Sequence, residues 1–242
     1  MRIQRALARA GVAARRKAEL LVAEGRVSVN GTVATIGQVV DPGKDRILVD
    51  GKPLPAAAAV EWFVLNKPVG VLTARGDADG RRTVFELVPD RPGLTYVGRL
   101  DYMTEGVLLL TTDGSAAHLL THPSSGVERV YVATVRGNVA AAVNRARKGV
   151  ELEDGLVVPS RVDAHSIGNR RWEFEVVLTE GRTREVRRLC DALGLDVERL
   201  VRTSYGPVEL GRLPAGEVRP LTPMEKSALR RIVGRQGSHA RG

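Results

Sequence analysis

The sequence predicts an α+β fold in two parts, on three observations. Apolar residues recur at helical spacing through the first two dozen positions, and an alternating apolar and polar run then enters an Asn-Gly turn. Beyond residue 60, β-branched runs alternate with turns and a few helices. The first two observations describe a helix pair and a small hairpin. The third describes strands with helices interspersed too irregularly for repeating βαβ units, and hence a mixed sheet.

Ile3, Leu7 and Ala10 mark a first helix that Gly11 stops, and Arg16 to Glu24 carries Leu20, Leu21 and Ala23 into a second that ends at Gly25. Arg26-Val-Ser-Val-Asn-Gly31 alternates into the turn, and Val33 onward resumes as the return strand. A further short strand falls within 44–51. Positions 52–59 then read Lys-Pro-Leu-Pro-Ala-Ala-Ala-Ala, the proline and small-residue content of a linker. The boundary belongs there, giving a first domain of 1–58 and a second of 59–233.

In the second domain the strand candidates are 62–65, 94–97, 107–110, 130–136, 172–178 and 197–201. The helix candidates are 116–120, 140–148 and 183–193, with a last helix over 222–233 and a loose basic tail at 234–242.

The chain has 242 residues, 43% hydrophobic and 27% charged, which is ordinary globular usage and argues against wholesale disorder or a fibrous chain. Apolar runs such as 107–110 and 176–178 fall far short of the roughly 18 residues of a membrane span. The arginine-studded start offers no apolar stretch of signal-peptide length, so a cytoplasmic protein without a membrane partner is expected. Cys190 is the single cysteine, so no internal disulfide can form, and it sits beside Leu189 and Leu193 as a core residue would. His118 and His122 are four apart, but Pro123 interrupts the helix and no carboxylate is placed with them, so no metal is expected. The segment 76–80 lacks the further oxygen ligands of a calcium loop.

Lys and Arg number 37 against 28 Asp and Glu, a formal net charge of +9 that favours a polyanionic partner. In the helix pair Arg2, Arg5, Arg9, Arg15, Arg16 and Lys17 gather on the faces opposite the apolar ones, where guanidinium forks can grip phosphates. The segments Arg5-Ala-Leu-Ala-Arg-Ala-Gly11, Arg15-Arg-Lys-Ala-Glu19 and Gly25-Arg-Val-Ser-Val-Asn-Gly31 together resemble the S4 RNA-binding domain. The resemblance adds Arg26 and Asn30 to the candidate RNA contacts. Ala14 stands where many relatives have serine.

The segment that carries the most chemistry is Gly98-Arg-Leu-Asp101, followed by Thr104-Glu-Gly106 and an apolar strand. By itself this places one carboxylate on a loop between strands, where a turn-capping aspartate is more ordinary than a catalytic one. Three more segments accompany it in order: Asn66-Lys-Pro-Val-Gly70, the run from His122 to Gly137 containing Tyr131, and Glu180-Gly-Arg-Thr-Arg-Glu-Val-Arg-Arg188. Together they resemble the RNA pseudouridine synthases, in particular the RsuA/RluB-like ribosomal RNA branch. Met103 departs from the pattern, standing where a polar residue is frequent.

The resemblance implies a catalytic domain with a mixed, mainly antiparallel sheet and a cleft holding Asp101 as the essential nucleophile. A carboxylate there can either attack the anomeric carbon or abstract a neighbouring sugar proton, and the sequence does not choose between them. It implies Tyr131 as an active-site ring that stacks on uracil and relays the proton of ring carbon-5, and Arg187 as the cation paired with Asp101. Arg99, Arg187 or Arg188 would fill the space of an extruded base, with Val186 and Leu210 as an apolar wall. The substrate implied is a uridine in ribosomal RNA, with large-subunit RNA favoured, and the protein is expected to act as a monomer. The isomerisation breaks and remakes a glycosidic bond without net oxidation, so no cofactor is expected. Two rivals are a non-catalytic RNA-binding assembly factor, which would not need Asp101, Tyr131 and Arg187 together, and a methyltransferase, for which no glycine-rich cofactor loop follows a strand.

Overall fold

The computed structural model describes residues 1–13, 15–56 and 59–239, with side chains for all but Arg15 and 235–239. Ala14 and the end of the expected tail, 240–242, lie outside the described residues. By contacts the chain forms two compact units. One comprises Met1–Glu61, Arg91–Thr95 and Thr111–Gly114, and the other Trp62–Asp90, Tyr96–Leu110 and Ser115–Gly242. The first unit therefore runs three residues past the linker boundary read from composition and takes in two short later segments, because packing and not chain order decides membership.

The first unit holds α1 (Ile3–Arg9), α2 (Arg15–Ala23), β1 (Val27–Val29), β2 (Thr32–Val33), β3 (Ile47–Val49) and β4 (Lys52–Pro53). Ile3, Leu7, Ala18, Val22 and Val27 are buried in its core. The strands form an antiparallel sheet in the order β2-β1-β3-β4. Asn30 (φ 52°) and Gly31 (φ 87°) both take the left-handed conformation that a tight hairpin turn demands. In this unit the strand absent from the sequence reading is β4, which lies in the proline-containing linker, and Pro53 is tolerated there because β4 is an edge strand.

The second unit, with the end residues Thr95, Thr111 and Gly114 counted in the first, adds β5 (Trp62–Lys67), β6 (Thr95–Val97), β7 (Glu105–Thr111), α3 (Gly114–Thr121), β8 (Arg129–Arg136), α4 (Val139–Lys148), β9 (Val150–Leu152) and β10 (Gly155–Val157). It continues with β11 (Arg161–Gly168), β12 (Arg171–Leu178), α5 (Glu185–Ala192), β13 (Asp196–Tyr205), β14 (Val208–Glu209), β15 (Val218–Pro220) and α6 (Pro223–His239). Its nine-stranded sheet runs β11-β12-β8-β13-β7-β5-β15, with β14 on β13 and β6 on β7. The pairs β11/β12, β12/β8, β8/β13 and β5/β15 are antiparallel, whereas β13 and β7 are parallel. The sheet is thus mixed and mainly antiparallel, as the resemblance implies.

Strands β9, β10, β14 and β15, of two or three residues each, are missing from the sequence reading, as is the long β11, whose alternate residues are polar and exposed as suits the edge of a sheet. Helix α6 continues to His239 where a loose tail is expected from Gly234; no proline interrupts those six residues, and single glycines weaken a helix without ending it. The core under β8 and β12 contains Phe174, Val176, Leu189 and Cys190, all fully buried, with α4 and α5 supplying Ala142, Ala146 and Val186. Burial pushes the Cys190 thiol up to about 12, so it is an unreactive core group.

The parallel pairing of β7 with β13 depends on one glycine. Gly106 has φ 105°, and a side chain there would place a Cβ 2.2 Å from the Arg202 carbonyl oxygen. Only glycine lets the two backbones approach that closely. The consequence is to set Arg202 directly against the start of β7, which follows immediately on the turn that carries Asp101.

Candidate active site

The turn from Asp101 to Thr104 links the segment after β6 to β7, and its backbone is tied down carbonyl by carbonyl. Lys67, the last residue of β5, is fully buried. Its Nζ donates to the carbonyl oxygens of Asp101 (3.1 Å), Tyr102 (3.4 Å), Thr104 (3.0 Å) and its own neighbour Pro68 (3.0 Å). Met103 supplies the remaining carbonyl, which accepts from Arg187 Nη2 at 2.8 Å. Just before the turn, the Thr73 hydroxyl donates to the Leu100 carbonyl at 2.8 Å and accepts from the Leu100 amide at 3.3 Å. Burial pushes the Lys67 ammonium down to about 8, against the opposing pull of Asp101 and Glu105.

The Asp101 side chain projects from this clamped turn into a cavity of about 320 Å³. Among the described residues its carboxylate accepts no hydrogen bond and joins no ion pair. The cavity wall also includes Arg99 from the same loop, Tyr131 from β8 and Arg187 from α5. Val186 lines it as expected. Leu210 does not, and Leu200 from β13 takes that place, because β13 alternates Leu200 and Arg202 onto the cavity side.

Two expectations are corrected. Arg187, at the start of α5, does not pair with Asp101; its guanidinium reaches the Met103 carbonyl instead, and it therefore holds the turn and not the carboxylate. Arg188 lies outside the cavity wall, because its fork grips Asp154 in a bidentate pair at 2.9 and 2.8 Å. That pair draws the Asp154 carboxyl below the usual range.

Four further side chains matter that the sequence reading missed. Lys67 and Thr73 hold the turn, and Arg129 and Arg202 enter the cavity wall from β8 and β13, 5% and 1% exposed. Both guanidiniums lie near the ring of Tyr205, at 5.2 and 5.1 Å. Arg202 Nη1 donates to the Tyr131 hydroxyl at 3.4 Å. The available signal was a charged residue next to an apolar pair within a strand, as in Leu200-Val201-Arg202. With Arg99, Arg182, Arg184 and Arg187 the wall carries six guanidiniums against the carboxylates of Asp101 and Glu185. Such a cavity suits a polyanion and any negative charge that develops inside it.

In the first unit the predicted RNA contacts divide. The Arg26 fork holds Asp50 at 2.8 and 2.7 Å and also meets Glu24 at 3.2 Å; the Asp50 bonds raise its pKa most. Asn30 accepts from the Arg46 amide and donates to Asp45, and Arg2 donates to the Gly37 carbonyl. These three hold the fold of the module. Arg9, Arg16 and Lys17 are exposed and Arg5 is half-buried, and none forms an ion pair among the described residues. The Arg15 side chain is outside the described set. Among the other sequence candidates, His122 Nδ1 accepts from the Ser124 amide and caps a short turn starting at Pro123. Asp77 in the 76–80 loop is held down at about 2 by its Arg81 hydrogen bonds.

Comparison with known proteins agrees with this architecture. The family description "RNA pseudouridylate synthase" matches residues 61–192, and "S4 domain" matches residues 1–47. An uncharacterized RNA pseudouridine synthase of Aquifex aeolicus is 42% identical over 238 residues, covering 97% of this chain and 95% of that one. The ribosomal large subunit pseudouridine synthase B of Bacillus subtilis is 40% identical over 236 residues, covering 96% of each. A crystal structure of a pseudouridylate synthase superposes with a TM-score of 0.62 at 28% identity, covering 95% of this chain and 99% of that one. With over half its length matched by the family and near-complete alignment to relatives above 30% identity, the chain belongs to the RNA pseudouridylate synthases and carries an S4 domain at its amino-terminal end.

Proposed function

We propose that this enzyme isomerises one specific uridine of large-subunit ribosomal RNA to pseudouridine, with Asp101 as nucleophile. The observation that carries this reading is a carboxylate with no hydrogen-bond or ion-pair partner among the described residues, on a turn whose four carbonyls are all held, facing a cation-lined cavity. The Bacillus subtilis relative, named as a large-subunit synthase, supports the choice of RNA.

A uridine in a stacked helix is out of reach, so the target is extruded into the cavity at a cost of a few kcal/mol. The Asp101 carboxylate attacks the anomeric carbon, the bond from that carbon to base nitrogen-1 breaks, and the uracil leaves as an anion. The cavity guanidiniums stabilise that anion. The base turns, carbon-5 bonds to the anomeric carbon, and Asp101 is released. The Tyr131 hydroxyl gives its proton to nitrogen-1 and takes the one lost from carbon-5, so atoms and charge balance with no oxidant or cofactor. Arg187 acts on Asp101 indirectly, through the Met103 carbonyl. Arg5, Arg9, Arg16 and Lys17 hold RNA phosphates, and Arg99 contacts the RNA at the cavity mouth.

Pseudouridine mapping of ribosomal RNA from cells with and without the gene tests the reading. One large-subunit site should disappear, return with the wild-type gene, and stay absent with Asp101→Asn. An unchanged map would refute the reading.

A further inference from the structure

The buried Arg202 is unexplained by either fold or charge balance. It is 1% exposed, its Nε donates to the Val107 carbonyl at 2.8 Å, and among the described residues it pairs with no carboxylate. A buried cation without a carboxylate is costly, and an arginine that served only to bridge β13 and β7 would need only that Nε contact. The other edge of its fork serves a second purpose: Nη1 donates to the Tyr131 hydroxyl at 3.4 Å, and Nη2 is buried without a partner. Its guanidinium carbon lies 5.9 Å from the centre of the Tyr131 ring. Arg202 and Tyr131 face one another across the β13/β8 register, and both line the cavity.

We propose that Arg202 is a positioning residue for catalysis, acting through the Tyr131 hydroxyl; this rests on the reading of Tyr131 as the proton relay. The reason is the geometry of donors. A phenol oxygen that accepts from a guanidinium cannot point its own proton back at that donor, so the O–H is turned toward the cavity, where the base lies. When the hydroxyl gives its proton to nitrogen-1, the adjacent cation stabilises the oxygen until the carbon-5 proton replaces it. Gly106 belongs to the same device, because its missing side chain lets Arg202 sit at this depth.

The test is a double-mutant cycle on single-turnover rate at saturating RNA, with RNA affinity and thermal melting measured alongside. Arg202→Gln should slow the wild-type background by about 30-fold and the Tyr131→Phe background by less than about 2-fold, with RNA affinity unchanged. Arg202→Lys, which keeps the cation without the planar fork, should fall between; if the Gln variant does not fold, the Lys variant carries the same cycle. Equal losses in both backgrounds would overturn the proposal while leaving Tyr131 in its role. A Tyr131→Phe enzyme at the wild-type rate would overturn both.

Discussion

The molecule uses positive charge in two ways, and its two units separate them. In the S4 domain Arg9, Arg16 and Lys17 are exposed and carry no internal ion pair among the described residues. In the catalytic unit Lys67, Arg202 and Arg129 are 0%, 1% and 5% exposed and hold backbone carbonyls and phenolic hydroxyls. Charges of the first kind act over distance and are weakened by salt. Those of the second kind act through geometry at short range, where water and salt do not screen them. Net charge therefore predicts the partner but not the catalytic arrangement.

The largest expected effect breaks the catalytic side of this comparison. Asp101→Asn keeps the size of the side chain and removes its ionised oxygen, so turnover should fall by about 10⁴-fold or more while RNA affinity is preserved. Substantial turnover in the purified variant would remove Asp101 from the mechanism.

Lys67→Met comes next, since it leaves several carbonyls of the turn without a donor. A loss of about 2 kcal/mol or more is expected, read as a fall in Tm of roughly 4–8 °C. Burial also makes Lys67 distinctive in its pH dependence. Its pKa is about 8 in the fold against an ordinary 10.5, so between those values the unfolded chain binds more protons than the folded one. The contribution of Lys67 to stability therefore increases as pH rises from 8 to 10.5, by up to roughly 3 kcal/mol. Denaturant melts of wild type and Lys67→Met across that range should diverge; parallel curves would show that the ammonium is not desolvated.

Arg187→Ala sharpens the distinction between holding the carboxylate and holding its turn. Loss of the Met103 contact should slow single turnover by about 10-fold, as for a misplaced reacting group. The exposed Arg231 on α6 is the control, and its alanine variant should match wild type. A loss at Arg187 approaching that of Asp101→Asn would mean that it contacts the carboxylate during reaction.

The smallest effects belong to the first unit. Alanine at Arg9, Arg16 and Lys17 should each reduce the slope of log affinity against log salt by about 0.7–0.9, leaving the saturated rate intact. Asn30→Ala should leave that slope unchanged and lower stability instead, since its side chain bridges Arg46 and Asp45. A reduced slope for Asn30→Ala would place it on the RNA.

Most of the architecture was legible because it depends on local rules. Gly11 and Gly25 end their helices, Asn30-Gly31 turns its hairpin, and the Gly98–Asp101 segment announces a catalytic turn by likeness to a family. Partnership was not legible. Arg26 and Arg188 look like free cations in the sequence but grip Asp50 and Asp154, which lie 24 and 34 residues away along the chain. Arg187 seemed suited to a carboxylate, yet its closest acceptor is a carbonyl.

The sequence by itself determined the helix pair and hairpin, the main strands, the excess of positive charge and the position of Asp101, because periodicity, turn chemistry and composition act over a few residues. Only the tertiary structure decided which cations are free and which are engaged. It brought Lys67 under a turn 34 residues later, and Arg202 against Tyr131 across 71 residues. Those pairings follow from strand order and from the close approach at Gly106, and a hydrogen bond is set by distances of tenths of an ångström that no local pattern encodes.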